Sequence, residues 1–234
     1  MLKIGGKMLN KKPSAILFDL DGTIADTALD LSATLNHLLT LAGRQEISHD
    51  QVRNMVGEGA LALIIKGFSH NGEKPTQKEL DILFDQYLEY YRNHIADHTV
   101  IFPGALQMLK TLKEQNIPLA ICTNKNIDLT HLLLKELDII DYFATITCGD
   151  SFPYKKPDPR HLFSTCKLMN VDPTDAIMVG DSINDIEAAR TAKILSVGVT
   201  FGYTKTSMTD LSPDLIINHF DEFFDAINQF KPRL

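Results

Sequence analysis

Four short polar segments of the sequence carry side chains that could act together in catalysis. In chain order they are Asp19-Leu20-Asp21-Gly22-Thr23, Thr123-Asn124, Lys155-Lys156-Pro157 and Gly180-Asp181-Ser182-Ile183-Asn184-Asp185. Each segment alone is also typical of ordinary structure, because Asp, Asn and Ser favour turns and helix starts. Asn124-Lys125, for example, indicates a solvated turn. Acids, a hydroxyl group and an ammonium in this combination predict an active site.

These groups fit the hydrolysis of a phosphate monoester, which enzymes accelerate by up to about 10²¹-fold. A carboxylate can serve as the nucleophile and form an aspartyl-phosphate that water then cleaves. Because the anionic nucleophile and the phosphate repel each other, a divalent cation such as Mg²⁺ and a fixed ammonium must neutralise the charge. Asp19, Asp181 and Lys156 supply the nucleophile, the metal ligand and the ammonium.

Proton transfer and phosphoryl binding need further groups. The leaving alkoxide must gain a proton and the attacking water must lose one, so a single carboxyl group with a raised pKa can act as acid and then base. Asp21 is the candidate, since Gly22 permits a turn that aims it at the leaving group beside Asp19. Thr123 and the amides after it can hold phosphoryl oxygens at a helix start.

The polar segments follow predicted strands. The apolar run within residues 14–20 predicts a buried strand that stops near Asp19. After Pro103-Gly104, helical patterns alternate with strands predicted at residues 118–123, 145–148, 176–179, 195–199 and 215–217. This alternation indicates an α/β fold with a doubly wound parallel sheet. Ligands of such sheets bind outside the carboxyl ends of the strands, which is where the polar segments lie.

A helical insertion interrupts this pattern after the first strand. Residues 26–98 are predicted to be entirely helical, and the apolar stripe between Leu80 and Ile95 is interpreted as packing. We therefore predict a core domain of residues 1–25 and 99–234 that is interrupted by a helical insertion of residues 26–98. Gly57-Glu58-Gly59 is interpreted as a simple turn between helices.

Composition excludes several other classes of protein. The net charge of −7 lacks the basic surface that nucleic-acid binding needs. No apolar run reaches the roughly 18 residues of a membrane span, and residues 1–9 lack the features of a secretory signal. The three cysteines, Cys122, Cys148 and Cys166, are interpreted as reduced residues of a cytoplasmic protein. The chain is expected to be a monomer or a homodimer, without nucleic-acid or membrane partners.

In order and spacing, the four segments resemble the four motifs of the haloacid dehalogenase-like phosphatases, over nearly the whole chain. The resemblance implies that residues 26–98 form a helical cap domain that closes over the site. It also implies that Asp19 is the nucleophile and that Asp21 is the acid and base, with its backbone carbonyl on Mg²⁺. The implied metal site comprises Asp19, Asp21, Asp181 and Asp185, the last of these as a partner of metal-bound water or of Lys156.

The resemblance also implies a set of substrate contacts. Thr123 and Lys156 would hold the transferring phosphoryl group, and the implied substrate-binding residues are Thr123, Asn124, Lys156, Gly57 and Gly59. Within the superfamily, residues 56–60, 149–159 and 179–190 look like those of the phosphoglycolate phosphatases, which implies 2-phosphoglycolate as the small phosphorylated metabolite. Lys193 and Gly202-Tyr203-Thr204 depart from that narrower pattern, at a turn and at the rim of the site.

Several other functions stay open at this point. Pyrophosphate, sugar phosphates and nucleoside monophosphates are alternative substrates, and a phosphosugar mutase shares the motifs. A haloacid dehalogenase would use Asp19 without needing Asp21 or a metal, so the acid at position 21 favours phosphate. A non-catalytic phosphate-binding protein is disfavoured because Asp19, Asp21 and Lys156 are all present.

Overall fold

A computed structural model describes residues 12–70 and 72–230. The segment at residues 1–9, which we interpreted as lacking a secretory signal, lies outside the described residues. Within the described part of the chain, no helix combines the length and the apolar character needed to cross a bilayer.

Six parallel strands form the central sheet, and two shorter strands form a separate antiparallel ribbon. In chain order the strands are β1 (Ala15–Phe18), β2 (Ala25–Asp26), β3 (Val100–Ile101), β4 (Leu119–Cys122), β5 (Thr145–Thr147), β6 (Ala176–Gly180), β7 (Leu195–Val199) and β8 (Leu215–Ile217). The order across the sheet is β5-β4-β1-β6-β7-β8. The predicted α/β fold with a parallel sheet is thereby confirmed.

The helices lie in the predicted helical insertion and between or after the predicted strands, except that the four-residue helix at Met208–Leu211 was not predicted. They are α1 (Ala28–Leu41), α2 (His49–Arg53), α3 (Ala60–His70), α4 (Gln77–Asn93), α5 (Ala105–Glu114), α6 (Ile127–Glu136), α7 (Pro159–Leu168), α8 (Ile183–Ala192), α9 (Met208–Leu211) and α10 (Phe223–Gln229). Capping boxes at Ser48 and Thr76 begin α2 and α4.

Both faces of the sheet are buried. Along β1, Ala15 and Leu17 belong to one hydrophobic cluster, whereas Ile16 and Phe18 belong to another. Since successive side chains of a strand point to opposite faces, each cluster packs on one side of the sheet. This explains why β1 is an uninterrupted apolar run.

Strand register places the ends of three strands side by side. Phe18 at the end of β1 lies opposite Ile121 of β4 and Val179 of β6. The polar residues that follow these strands therefore begin at the same edge of the sheet. This alignment brings the loops after β1, β4 and β6 together.

Helices α1 to α4 lie between the two strands of the ribbon. Ala25 pairs with Ile101 and Asp26 pairs with Val100, so the chain leaves and re-enters the core along neighbouring strands. The prediction that residues 26–98 are entirely helical is wrong at Asp26, which belongs to β2. Strands of two residues are too short to produce a visible alternation in the sequence. The division into core and cap domains stays a prediction.

Candidate active site

A buried lysine joins two acids at the carboxyl edge of the sheet. Lys156 Nζ lies 3.0 Å from Oδ1 of Asp19 and 2.6 Å from Oδ1 of Asp185, and these three side chains are 1%, 8% and 0% exposed. Asp19 directly follows β1, Lys156 precedes α7, and Asp185 lies in the first turn of α8. Burial lowers the pKa of Lys156, but the two carboxylates outweigh this effect and raise it, which keeps the ammonium charged.

Three carboxylates converge beside this lysine. One oxygen from each of Asp19, Asp181 and Asp185 can be chosen so that all three lie within 4.8 Å of one another. Burial raises the pKa of Asp19 to about 6, with Lys156 lowering it and Asp185 raising it further. Burial also raises the pKa of Asp181 well above its usual range, and the neighbouring Asp185 and Asp19 add to the effect. Crowded, buried carboxylates of this kind are stabilised by a cation.

The donor set fits a hard divalent cation. Asp19 Oδ1 is buried and, apart from its ion pair with Lys156, accepts no hydrogen bond. Carboxylate oxygens are the ligands that Mg²⁺ prefers, and it usually takes only one or two of them together with water and phosphate oxygens. The Asp19–Asp181–Asp185 cluster can therefore hold Mg²⁺ and still leave positions for a substrate.

Backbone from two loops packs tightly around Asp181. The amide of Tyr203 donates to Asp181 Oδ2 at 2.6 Å. A Cβ atom at Gly22 or at Gly202 would overlap the Asp181 carboxylate. Gly22 also has a φ of 83°, a conformation that side chains disfavour. These two glycines let the loops hold Asp181 in one position.

Asp21 contacts a second lysine, Lys125. Its Oδ1 accepts from the Thr27 hydroxyl at 2.7 Å, and Lys125 Nζ lies 3.0 and 3.2 Å from its two carboxylate oxygens. The interpretation of Asn124-Lys125 as a solvated turn is wrong, because Lys125 is only 6% exposed. The single sequence signal for Lys125 was its position just after a core strand, since the partners that bury it come from distant segments.

Thr123 and Asn124 follow β4 and line the same pocket. Thr123 is 2% exposed and lines a pocket together with Asp19 and Asp21. The side-chain amide of Asn124 donates to the Lys156 carbonyl at 2.9 Å and to the Gly57 carbonyl at 3.1 Å. The structure thus brings together the residues predicted from all four segments.

Comparisons with known proteins agree with this geometry. Residues 16–199 match the model of the family described as haloacid dehalogenase-like hydrolase. The chain belongs to this family. It is 42% identical to the phosphoglycolate phosphatase of Agrobacterium fabrum over 90% of this chain and 91% of that protein. It is 39% identical to the phosphoglycolate phosphatase of Neisseria meningitidis over 93% of this chain and 94% of that protein.

A solved structure shows the same fold. The crystal structure of a predicted phosphoglycolate phosphatase from Haemophilus somnus has a TM-score of 0.87 at 28% identity, over 92% of this chain and 98% of that one. The family expected from the four motifs is confirmed. The expectation that the protein is an enzyme whose relatives are phosphoric monoester hydrolases is also confirmed.

The loop between α2 and α3 of this hydrolase covers the site. The Gly57 carbonyl accepts from the side-chain amides of Asn124 and Asn184, at 3.1 and 3.2 Å. Lys155 Nζ donates to the Glu58 carbonyl at 2.6 Å, and a Cβ atom at Gly59 would lie 2.9 Å from the Asn124 carbonyl oxygen. Gly57 and Gly59 thus contact the core next to the predicted phosphoryl-binding residues, and their contact with substrate stays a prediction.

Tyr203 and Arg53 form another connection that the sequence analysis missed. The Tyr203 hydroxyl accepts from the Thr27 amide at 2.6 Å and donates to Asp26 Oδ1 at 2.7 Å. The Arg53 guanidinium lies 5.2 Å from the centre of the Tyr203 ring and donates to the Gly202 carbonyl at 2.9 Å. The rim segment at residues 202–204 therefore links α2 and the start of α1 to Asp181.

Proposed function

We propose that this hydrolase is a Mg²⁺-dependent phosphatase that converts 2-phosphoglycolate to glycolate and phosphate through a phosphorylated Asp19. The observation that carries the proposal is the buried contact of Lys156 with both Asp19 and Asp185, beside Asp181. An ammonium fixed between acids, at a site with room for a cation, supports chemistry on a dianionic group.

Asp19 acts as the nucleophile in the first step. Its carboxylate oxygen forms a bond to phosphorus while the bond from phosphorus to the glycolate oxygen breaks. Lys156, 3.0 Å from Asp19 Oδ1, balances the negative charge of the carboxylate and of the phosphoryl oxygens. Thr123 and the backbone amides that follow it hold the phosphoryl group against Asp19.

Asp21 transfers the protons of both steps. In the first step its protonated form gives the proton to the departing glycolate oxygen. In the second step its carboxylate takes a proton from the water that attacks the phosphorus, which releases phosphate and restores Asp19. Thr27 and Lys125 fix the Asp21 carboxylate for this role.

Asp19, Asp181 and the backbone carbonyl of Asp21 would hold Mg²⁺, with Asp185 acting through water or through Lys156. When bound, Mg²⁺ supplies charge neutralisation and orients the phosphoryl group for in-line attack. The remaining chemistry belongs to side chains of the protein.

Substrate and location are supported by separate observations. Relatives at 42% and 39% identity are named phosphoglycolate phosphatase. Residues 26–98 act as a cap over the pocket, and the contacts of Gly57 with Asn124 and Asn184 support this role. The three cysteines are free and buried, which supports a cytoplasmic location.

The test is phosphate release from a panel of metabolites, with Mg²⁺ and with a chelator, ranked by kcat/KM. The panel contains 2-phosphoglycolate, pyrophosphate, sugar phosphates, nucleoside monophosphates and a haloacid. We expect 2-phosphoglycolate to rank first and chelation to abolish turnover. Asp19→Asn should lose nearly all activity, and a variant that kept the wild-type kcat would disprove Asp19 as the nucleophile. A flat ranking would contradict the substrate assignment and leave the reaction class standing.

A further inference from the structure

Two tyrosines of α4 reach the pocket beside Asp21. Tyr87 and Tyr91 are one helical turn apart, and both line the pocket that also contains Asp19, Asp21 and Lys125. Lys125 Nζ donates to the Tyr91 hydroxyl at 2.9 Å and lies 4.6 Å from the centre of the Tyr91 ring. The phosphoryl chemistry described above uses neither tyrosine.

The Tyr87 hydroxyl is buried and has no hydrogen-bond partner, although the residue is only 1% exposed. A buried hydroxyl without a partner is costly, so such a group usually indicates a missing ligand or water. Within the described residues, Tyr91 accepts from Lys125 but donates to no acceptor. Burial raises the pKa of both tyrosines, so both keep their protons and can donate hydrogen bonds at neutral pH.

The other walls of the pocket limit what can bind there. Leu31, Val56, Leu63 and Leu129 form apolar lining around the polar end. The polar end offers two hydroxyl donors and one ammonium, and the side chain of Lys125 is only 4% exposed. Two hydroxyl donors beside an ammonium suit an anion that accepts several hydrogen bonds.

We propose that Tyr87, Tyr91 and Lys125 bind a carboxylate on the leaving group, which makes carboxylate-bearing phosphomonoesters the preferred substrate class. This inference rests on the proposed function, since it assigns the transferred phosphoryl group to the Asp19 site. The Asp21 carboxylate connects that site to the tyrosines, because it contacts Lys125, which in turn contacts Tyr91. The scissile oxygen is thereby held next to Asp21.

The experiment compares two esters that differ only in this group. Ethyl phosphate replaces the carboxylate of 2-phosphoglycolate by a methyl group. In Tyr87→Phe and in Tyr91→Phe we expect kcat/KM for 2-phosphoglycolate to fall about 10- to 100-fold, as for the loss of a hydrogen bond to a charged group. For ethyl phosphate, which has no carboxylate to accept this hydrogen bond, kcat/KM should change by less than about threefold. Tyr90→Phe, a half-buried tyrosine of the same helix, is the matched control and should leave both values unchanged.

A binding measurement separates this inference from the proposed reaction. Calorimetric titration with glycolate should show weaker binding to Tyr87→Phe than to wild type, whether or not phosphate is released. Equal losses of kcat/KM on both esters would overturn the carboxylate site. Unchanged kcat/KM values together with an unchanged affinity for glycolate would also overturn it. If the wild type released no phosphate from any ester, the proposed function would fail. Loss of glycolate affinity in Tyr87→Phe would then still support the carboxylate site, and unchanged affinity would overturn it.

Discussion

Asp185 Oδ1 lies 2.6 Å from Lys156 Nζ, in a contact that solvent does not reach. The other oxygen of Asp185 accepts from the backbone amide and the hydroxyl of Ser182, at 3.0 and 2.7 Å, and so forms part of the capping box of α8. One carboxylate therefore connects the start of a helix to the ammonium that contacts Asp19. The position of Lys156 depends on the folding of α8.

Replacing Asp185 by Asn should destabilise the protein. The change removes the 2.6 Å contact with Lys156, whose ammonium keeps Asp19 as a carboxylate partner, so the loss should be about 1–3 kcal/mol of unfolding free energy, as for a hydrogen bond to a charged group. Urea denaturation measures the loss. Glu187→Gln, at an exposed position of the same helix, is the control and should stay within about 0.5 kcal/mol of wild type. An unchanged denaturation midpoint for Asp185→Asn would contradict the importance of this contact.

Asp21→Asn tests proton transfer without removing the nucleophile. Because Asn can neither give nor take the proton, kcat should fall by about 10²- to 10⁴-fold, and the enzyme should stall after phosphorylation or slow in both steps. The pH profile of kcat/KM and a phosphorylation burst measure these effects. If the pH profile matched that of the wild type, Asp21 would not be the acid and base.

Mg²⁺ binding should depend on pH through Asp19 and Asp181. Burial raises the pKa of Asp19 from 3.8 to about 6 and that of Asp181 well above its usual value. The stability that the raised pKa of Asp19 contributes to the metal-free protein is present at low pH and is lost as the pH rises through about 6. The raised pKa of Asp181 acts in the same direction. The metal needs the ionised carboxylates and must displace these protons.

The expected outcome is that Mg²⁺ raises Tm more at about pH 7.5 than at about pH 5, because fewer protons must be displaced. Thermal unfolding with Mg²⁺, compared with KCl at equal ionic strength, measures the difference. Asp181→Asn should remove most of the Mg²⁺ effect at the higher pH. Equal shifts of Tm at both pH values would contradict the assignment of the metal site.

Lys193→Gly should stabilise the protein. Lys193 ends α8 in the left-handed conformation, with φ 57° and ψ 34°, where a side chain is strained. Glycine removes this strain at a smaller entropic cost, so the gain should be about 0.5–1 kcal/mol. Lys193→Ala keeps the strain and is the matched control in urea denaturation. A glycine variant less stable than the alanine variant would contradict this explanation.

Most secondary-structure elements and the four polar segments could be recognised in the sequence, because local patterns determine them. The run Ala15–Phe18 is apolar throughout since β1 is buried on both faces. Four site residues could be predicted as partners because they follow or precede core elements whose ends share one edge of the sheet. They are Asp19, Lys156, Asp181 and Asp185. The ribbon of β2 and β3 was missed since two paired residues leave no periodic pattern.

The sequence alone thus determined the fold class, the family resemblance and the acids of the site. Only the tertiary structure decided that Lys125, read as part of a solvated turn, lies buried between Asp21 and Tyr91. It also decided that Tyr87, in a stripe interpreted as packing, lines the pocket and has a buried hydroxyl without a hydrogen-bond partner. The physical reason is distance along the chain. Lys125 is 104 residues from Asp21 and 34 from Tyr91, so these contacts form only when α4 packs over the sheet edge.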